Sequence, residues 1–163
     1  MFKTGEPQSF KINLPELHVS VVVLFLHDLP YDKQLIKVYE DLERLEVDED
    51  TQSLVNTVNR NIGDCAVNPG FCFSYDDTTV FVCFKVAAFK DDKLEYFINI
   101  MTHELTHAAA FIFQNLGLDR TDDEHLAIVQ GNMAEECVAH IKEFLDSDDS
   151  EIDLAIQKTL ERS

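Results

Sequence analysis

The spacing of hydrophobic positions changes along the chain from an extended pattern to a helical one. Residues 11–26 have an extended pattern, rich in β-branched side chains near its end, which predicts strand structure. Over residues 32–45, apolar side chains recur every three or four positions among charged ones, which predicts an amphipathic helix. A second helix is predicted over residues 51–61, and we expect it to stop before Gly63.

The middle of the chain has the pattern of a β-hairpin. Two apolar segments, Phe71–Tyr75 and Val80–Phe84, flank the polar turn cluster at 76–79. Closing the hairpin directly around this cluster sets Cys72 opposite Cys83. A disulfide between directly opposed cysteines on neighbouring strands would be strained, so we interpret both as small core residues.

After Lys90 the pattern is helical to the end of the chain. The first helix begins with a capping box of Asp92 and Glu95 and continues to Leu116, with Gly117 as its stop. The next is predicted from the capping residues 121–124 to about residue 145. A last short helix covers residues 151–160.

These elements predict an α+β fold in a single domain spanning residues 1–163. Residues 1 to about 90 are expected to hold the strands, as a short antiparallel sheet or hairpin, and two helices. Residues from about 91 to 163 are expected to form the helical part, in which one long helix is followed by another.

The chain is strongly acidic, with 31 Asp and Glu against 13 Lys and Arg, a formal charge of −18. Such a surface repels phosphate groups, so we expect neither nucleic acid nor a membrane as a partner. A basic peptide or protein is the partner that this charge favours. The first ten residues lack the apolar segment of a signal peptide, and the four cysteines have no Cys-x-x-Cys spacing. A cytoplasmic protein with reduced thiols is therefore expected.

The segment His103-Glu104-Leu105-Thr106-His107 carries the most specific chemical signal in the chain. Positions i and i+4 lie about 40° apart around a helix, so both histidines project from one face. Two imidazoles in this arrangement can occupy two corners of a zinc tetrahedron. Glu104, one position further along, can accept a proton from a metal-bound water.

The surroundings of the motif strengthen this interpretation. Residues 99–110 contain no other charged side chain, no proline and no glycine, which predicts a buried helix. Burying two histidines and a glutamate there is costly unless they have a partner. The alternative is a pair of core histidines that hydrogen-bond to backbone or carboxylate groups.

Over roughly residues 95 to 132 the sequence resembles the zincin metallopeptidases, in particular the compact, gluzincin-like members. It also resembles small phage-encoded proteins that have a predicted zincin site followed by an Asp-Glu-x-x-Ala segment, here Asp123 to Ala127. The resemblance implies a zinc ion (Zn2+) bound by His103 and His107, with Glu104 as general base. It implies Glu124 as the third metal ligand, and a location in the host cytoplasm or the virion if the chain is phage-encoded.

The third ligand is open on the residues alone. Glu124 also completes a capping box with Thr121, a purely structural role. In an antiparallel helix pair, residues 131–135 would be level with the two histidines, which makes Glu135 an alternative ligand. Asp122, Asp123 and His125 are close substitutes as the third ligand, and Asp122 or Asp123 could instead hydrogen-bond the imidazoles.

The resemblance therefore implies a zinc-dependent peptidase in which Glu104 activates a metal-bound water. The alternative is a non-enzymatic, zinc-stabilised interaction or virion-associated protein, and a third option is a metal-free acidic binding protein. If Val80–Phe84 lies at the sheet edge, it can bind an extended peptide substrate; otherwise it is a plain hydrophobic strand.

Overall fold

The computed structural model describes residues 2, 7–47, 51–65, 67–89, 94–118 and 123–162. Within these ranges the chain forms four strands and five α-helices, which confirms the predicted α+β class. In chain order they are β1 (Phe10–Leu14), β2 (Val19–Leu26), α1 (Tyr31–Arg44), α2 (Thr51–Asp64), β3 (Gly70–Asp76), β4 (Thr79–Lys85), α3 (Leu94–Leu116), α4 (Asp123–Ile141) and α5 (Asp149–Arg162).

The strands form one mixed sheet in the order β1-β2-β4-β3. Both outer pairs are antiparallel, but the central strands β2 and β4 run parallel to each other. A parallel pair requires a long crossover, and residues 27–78 provide one that contains α1, α2 and β3. The expectation of an antiparallel sheet is therefore right for the outer pairs and wrong for the central pair.

Helices cover both faces of the sheet, which creates two hydrophobic cores. Val21 and Val23 of β2 point toward α3, α4 and α5, whereas Val22 and Leu24 point toward α1 and α2. Successive side chains of a strand alternate between faces, so a strand covered on both sides must be apolar throughout. This arrangement explains the continuous apolar run of β2.

Helix α3 is the central element on its side of the sheet. It packs on β3 and β4, and also against α4 and α5. Its buried stripe includes Phe97, Met101, Ala108 and Ile112, which recur at helical spacing. Among the described residues, no helix combines the length and the apolar character needed to cross a membrane.

The β3–β4 hairpin differs by one residue from the predicted pairing. Asp76 pairs with Thr79 across the turn, but the next pair is Ser74 with Val80, so Tyr75 is an extra residue on β3. Such a bulge shifts every later pair by one position and moves the side chains to the other face. Phe73 therefore stacks on Phe81, with ring centroids 5.0 Å apart.

The bulge also separates the two cysteines that were predicted to face each other. Cys72 pairs with Val82 and packs against the α3 side of the sheet. Cys83 pairs with Phe71 and lies in the core under α1 and α2. The prediction of opposed cysteines is wrong because it assumed a regular turn, although Cys83 is a core residue as expected.

The helix ends agree with the sequence in part. Gly117 has a φ of 66°, and the Leu118 amide donates to the Phe113 carbonyl at 2.9 Å, so α3 stops where predicted. Helix α2 continues through Gly63, however, and α4 ends at Ile141 rather than near residue 145. The predicted capping residues Asp92 and Thr121 lie outside the described residues.

The burial of the cysteines predicts how each thiol reacts. Burial raises the pKa of Cys137 to about 12, and it also raises the pKa of Cys83 and Cys72. Because the thiolate is the reactive form, we expect iodoacetamide at pH 7.5 to modify Cys65, which is partly exposed, before the other three. Peptide mass spectrometry of native and urea-unfolded samples measures the order. Equal labelling of Cys65 and Cys137 in the native protein would contradict the fold described.

Candidate metal site on helix α3

The predicted motif lies in the middle of α3, where the helix is regular on both sides. Glu104 falls on the flank of the buried stripe, while His103 and His107 are exposed. Residues three and four apart share a helix face, so the local sequence is sufficient to bring the two imidazoles together. Packing of the apolar stripe on the sheet then orients both rings outward.

The two histidines form a close pair. Their Nε2 atoms are 3.0 Å apart and their ring centroids 4.6 Å apart, with the rings nearly perpendicular. Two nitrogens that share a tetrahedral zinc at about 2.0–2.1 Å lie roughly 3.3 Å from each other. The pair therefore fits two adjacent coordination positions, and without a metal the same geometry is one hydrogen bond between the two imidazoles.

Glu104 differs from the histidines in its burial. Only 6% of the residue is exposed, and this burial raises the pKa of its carboxyl group. Positive charge on His103 and His107 acts in the opposite direction and is the smaller effect. A carboxyl group with a raised pKa beside two potential ligands is suited to both accept and donate a proton.

An open groove of about 510 Å³ runs beside the motif. One wall is the α3 flank that carries the three motif residues, and the other is the segment that leads from α2 into β3. The lining residues are Cys65, Asn68, Pro69, Gly70, Phe71, Cys72, Ile100, His103, Glu104, His107 and Phe111. We call this feature the histidine groove.

The edge strand beside this groove is β3. Strand β4, which contains the segment Val80–Phe84, has a neighbour on each side and so has no free edge. The condition for peptide binding at this segment is therefore not met, because β2 pairs with it in parallel, and it is the plain hydrophobic strand of the alternative. Gly70, Phe71 and Cys72 instead bring β3 to the groove.

The structure does not bring Glu124 to the histidines. Phe113 contacts His125 of α4, with ring centroids 5.4 Å apart. Six residues along a helix is a rotation of about 600°, so Phe113 points roughly 120° away from His107. Helix α4 therefore contacts a different flank of α3 from the one that lines the histidine groove, and Glu124 is exposed in its first turn.

Glu135 is also separate from the histidines. It is exposed on α4 and lines a different groove, formed with residues 13–17. Within the described ranges, no three His, Cys, Asp or Glu residues are close enough to share a metal ion. Asp122 and the side chain of Asp123 lie outside the described part of the chain. The identity of the third ligand stays a prediction.

Several groove residues could not be identified from the sequence. Asn68, Gly70 and Cys72 belong to a loop and strand that are more than 30 positions before the motif, and they reach it only through tertiary packing. Gly70 shows most clearly how closely β3 approaches α3. A Cβ atom built there would lie 3.0 Å from Ile100 Cγ2 and 3.3 Å from Glu104 Cγ.

Substituting glycines tests this close approach. We expect Gly70→Ala to lower the free energy of unfolding by about 1–3 kcal/mol, because the added methyl group overpacks the contact with α3. Gly131→Ala is the control, since a Cβ in the middle of α4 meets nothing within 4 Å. It should raise stability by about 0.5–1 kcal/mol. Urea unfolding measures both free energies. If both variants changed the free energy of unfolding in the same direction, the close approach of Gly70 to α3 would be contradicted.

The pKa of Glu104 predicts a pH-dependent stability in the metal-free protein. Since the folded-state pKa lies above the ordinary value of 4.5, the free energy of unfolding falls as the pH rises through the interval between them. Glu104→Gln is neutral at every pH, so we expect it to raise the melting temperature at pH 8 and to change it little at pH 4. Thermal unfolding at both values provides the test, and an equal effect at both would contradict it.

The comparisons with known proteins leave the site to be interpreted from its own residues. Neither protein-family models nor curated proteins nor solved structures gave a match to this chain. The geometry of His103, His107 and Glu104 in the histidine groove is therefore the basis for any functional assignment.

Proposed function

We propose that this chain is a zinc-dependent hydrolase of peptide bonds, with His103 and His107 as metal ligands and Glu104 as general base. One observation carries the proposal. Two imidazole nitrogens 3.0 Å apart lie at an open groove, next to a carboxyl group that is nearly buried. Two exposed histidines that merely hydrogen-bonded to each other would require neither the groove nor the adjacent carboxyl group.

A zinc ion at this pair would supply a Lewis acid and would lower the pKa of a bound water toward neutrality. Glu104 would accept a proton from the attacking water and deliver it to the leaving amine. Burial of this carboxyl group raises its pKa, which favours holding the proton between the two transfers. The exposed histidines leave the groove side of the pair accessible to substrate.

Catalytic zinc sites have three protein ligands as a rule, and α3 offers two. Glu124 remains the third ligand that the resemblance to zincins predicts, although α4 packs on the other flank of α3. We propose to decide this with Glu124→Gln and Glu135→Gln. Loss of zinc affinity in one variant identifies the residue it replaces as the third ligand. Unchanged affinity in both means that the third ligand is a water or a residue outside the described ranges.

The substrate is proposed to be an extended peptide, with basic sequences favoured. Strand β3 is an edge strand whose first residues line the histidine groove, so a peptide can pair with it by β-augmentation and pass the histidines. The formal charge of −18 attracts basic chains over distances of about a Debye length. A cytoplasmic location belongs to the same proposal.

The second candidate is a non-enzymatic, zinc-stabilised interaction or virion-associated protein. Its specific support is that the described residues assemble no complete catalytic ligand set. Both candidates need a third ligand besides the histidine pair, so the ligand set does not choose between them. The open groove beside the pair is the feature that favours the hydrolase.

We expect the purified chain to bind about one zinc ion through the histidine pair. His103→Ala and His107→Ala should each reduce the zinc affinity at least tenfold, because the loss of one ligand from a chelating pair removes a direct metal bond. His18→Asn, an exposed histidine in the β1–β2 turn, is the matched control and should bind zinc normally. Competition with a chelating dye measures the affinities.

Hydrolysis is then tested with Glu104→Gln on the zinc-loaded protein. This variant should retain zinc and lose peptide cleavage by about 100-fold or more, since general-base catalysis contributes on that order. A quenched fluorescent peptide library rich in Lys and Arg provides the substrate. Cleavage that survives in Glu104→Gln would exclude the mechanism, and zinc binding without cleavage in the wild-type protein would favour the second candidate.

A further inference from the structure

A second groove lies beside α4 and shares no lining residue with the histidine groove. It runs between the turn that joins β1 to β2 and the outer face of α4, and its volume is about 430 Å³. We call it the α4 groove. Two backbone hydrogen bonds, from Leu17 to Leu14 at 3.1 Å and from His18 to Pro15 at 3.3 Å, fix the turn that forms one wall. The groove is therefore preformed in the folded chain.

The base of the α4 groove is apolar. Leu14 and Val129 are buried there, while Leu17 is partly exposed and Ile128 is 55% exposed. An isoleucine this exposed beside other apolar side chains gives a partner an apolar surface to cover. The groove can thus take an apolar side chain between the turn and α4.

The rim of the same groove is acidic. Glu16, Glu135 and Glu136 contribute three carboxylates, and among the described residues that line the groove none is Lys or Arg. All three glutamates are exposed, so each can reach an incoming charge. Elsewhere on the chain, basic side chains lie beside acidic ones. Arg44 Nη2, for example, is 3.5 Å from Asp41 Oδ1. The electrostatic complement of the α4 groove is a row of basic side chains.

The shape indicates an elongated ligand. The lining positions on α4 extend from His125 to Ala139 and all share one helix face. Fourteen residues of helix span about 21 Å, which is much longer than a single side chain or a small metabolite. A helix of about four turns laid along α4 matches this length and can place apolar residues every three or four positions over the groove.

We propose that the α4 groove binds a basic amphipathic helix of a partner protein. Its apolar face would cover Leu17 and Ile128, and its Lys or Arg side chains would pair with Glu16, Glu135 and Glu136. The groove shares no lining residue with the histidine groove, and the proposal does not depend on zinc or on hydrolysis.

A designed peptide pair tests the proposal. The probe is a Leu/Lys peptide of about four helical turns, and its control has the same pattern with Glu in place of Lys. We expect the Leu/Lys peptide to shift the amide NMR signals of residues 13, 14, 16 and 17 and of the outer face of α4, and the Leu/Glu peptide to shift neither set. Perturbation centred elsewhere on the chain would overturn the proposal.

Because a chain of charge −18 attracts any polycation, variants with equal net charge separate the groove from the general field. The triple variant Glu16→Gln, Glu135→Gln, Glu136→Gln should weaken the affinity for the Leu/Lys peptide about tenfold. The matched triple Glu40→Gln, Asp64→Asn, Glu161→Gln changes exposed residues outside the groove and should weaken it less than threefold. Equal weakening by the two triples would overturn the proposal.

The apolar contact is tested in the same way. Ile128→Ser should weaken binding of the Leu/Lys peptide about fivefold or more, since an exposed contact of this size contributes on that order. Val67→Ser is the control, because Val67 is 93% exposed and lies outside the α4 groove. Unchanged affinity in Ile128→Ser, with the fold intact by circular dichroism, would show that charge alone holds the peptide and would overturn the amphipathic mode.

Discussion

The close packing of α3 against the start of β3 is the contact on which the histidine groove depends. Gly70 allows it, because any side chain there would meet Ile100 and Glu104 at once. The loop between Cys65 and Gly70 is thereby held beside α3 and becomes the wall that faces His103 and His107. Without this contact the two histidines would be ordinary exposed residues on a long helix.

The same packing determines the environment of Glu104. A carboxyl group on the flank of an apolar helix face loses water when β3 covers it, and the loss favours its neutral form. Proteins tolerate such a local cost mainly where it serves a function. Positive charge on the neighbouring histidines lowers the cost of ionising Glu104. A bound cation would lower this cost more strongly.

Helix α3 also divides its side of the molecule into two surfaces of different chemistry. One flank carries the imidazole pair and the edge strand β3. The other is covered by α4, whose outer face forms an acidic groove with the β1–β2 turn. Because each surface rests on a separate set of contacts, the proposed metal chemistry and the proposed binding of a basic helix can be changed independently.

Local interactions explain what the sequence by itself determined. The i, i+4 spacing brings His103 and His107 together in any regular helix, and Gly117 ends α3 because it adopts a positive φ without strain. The α+β class likewise follows from the change in hydrophobic period along the chain. Each of these features is decided within a few residues, so the pattern is sufficient to predict it.

Only the tertiary structure decided how these elements meet. The parallel pairing of β2 with β4, the bulge at Tyr75 and the flank of α3 on which α4 packs depend on residues far apart in the chain. Helical periodicity gave Glu124 and Glu135 the same face of α4, but it carries no information on which side of α3 that helix lies. The choice is made by the fit of whole apolar surfaces, which no local spacing encodes.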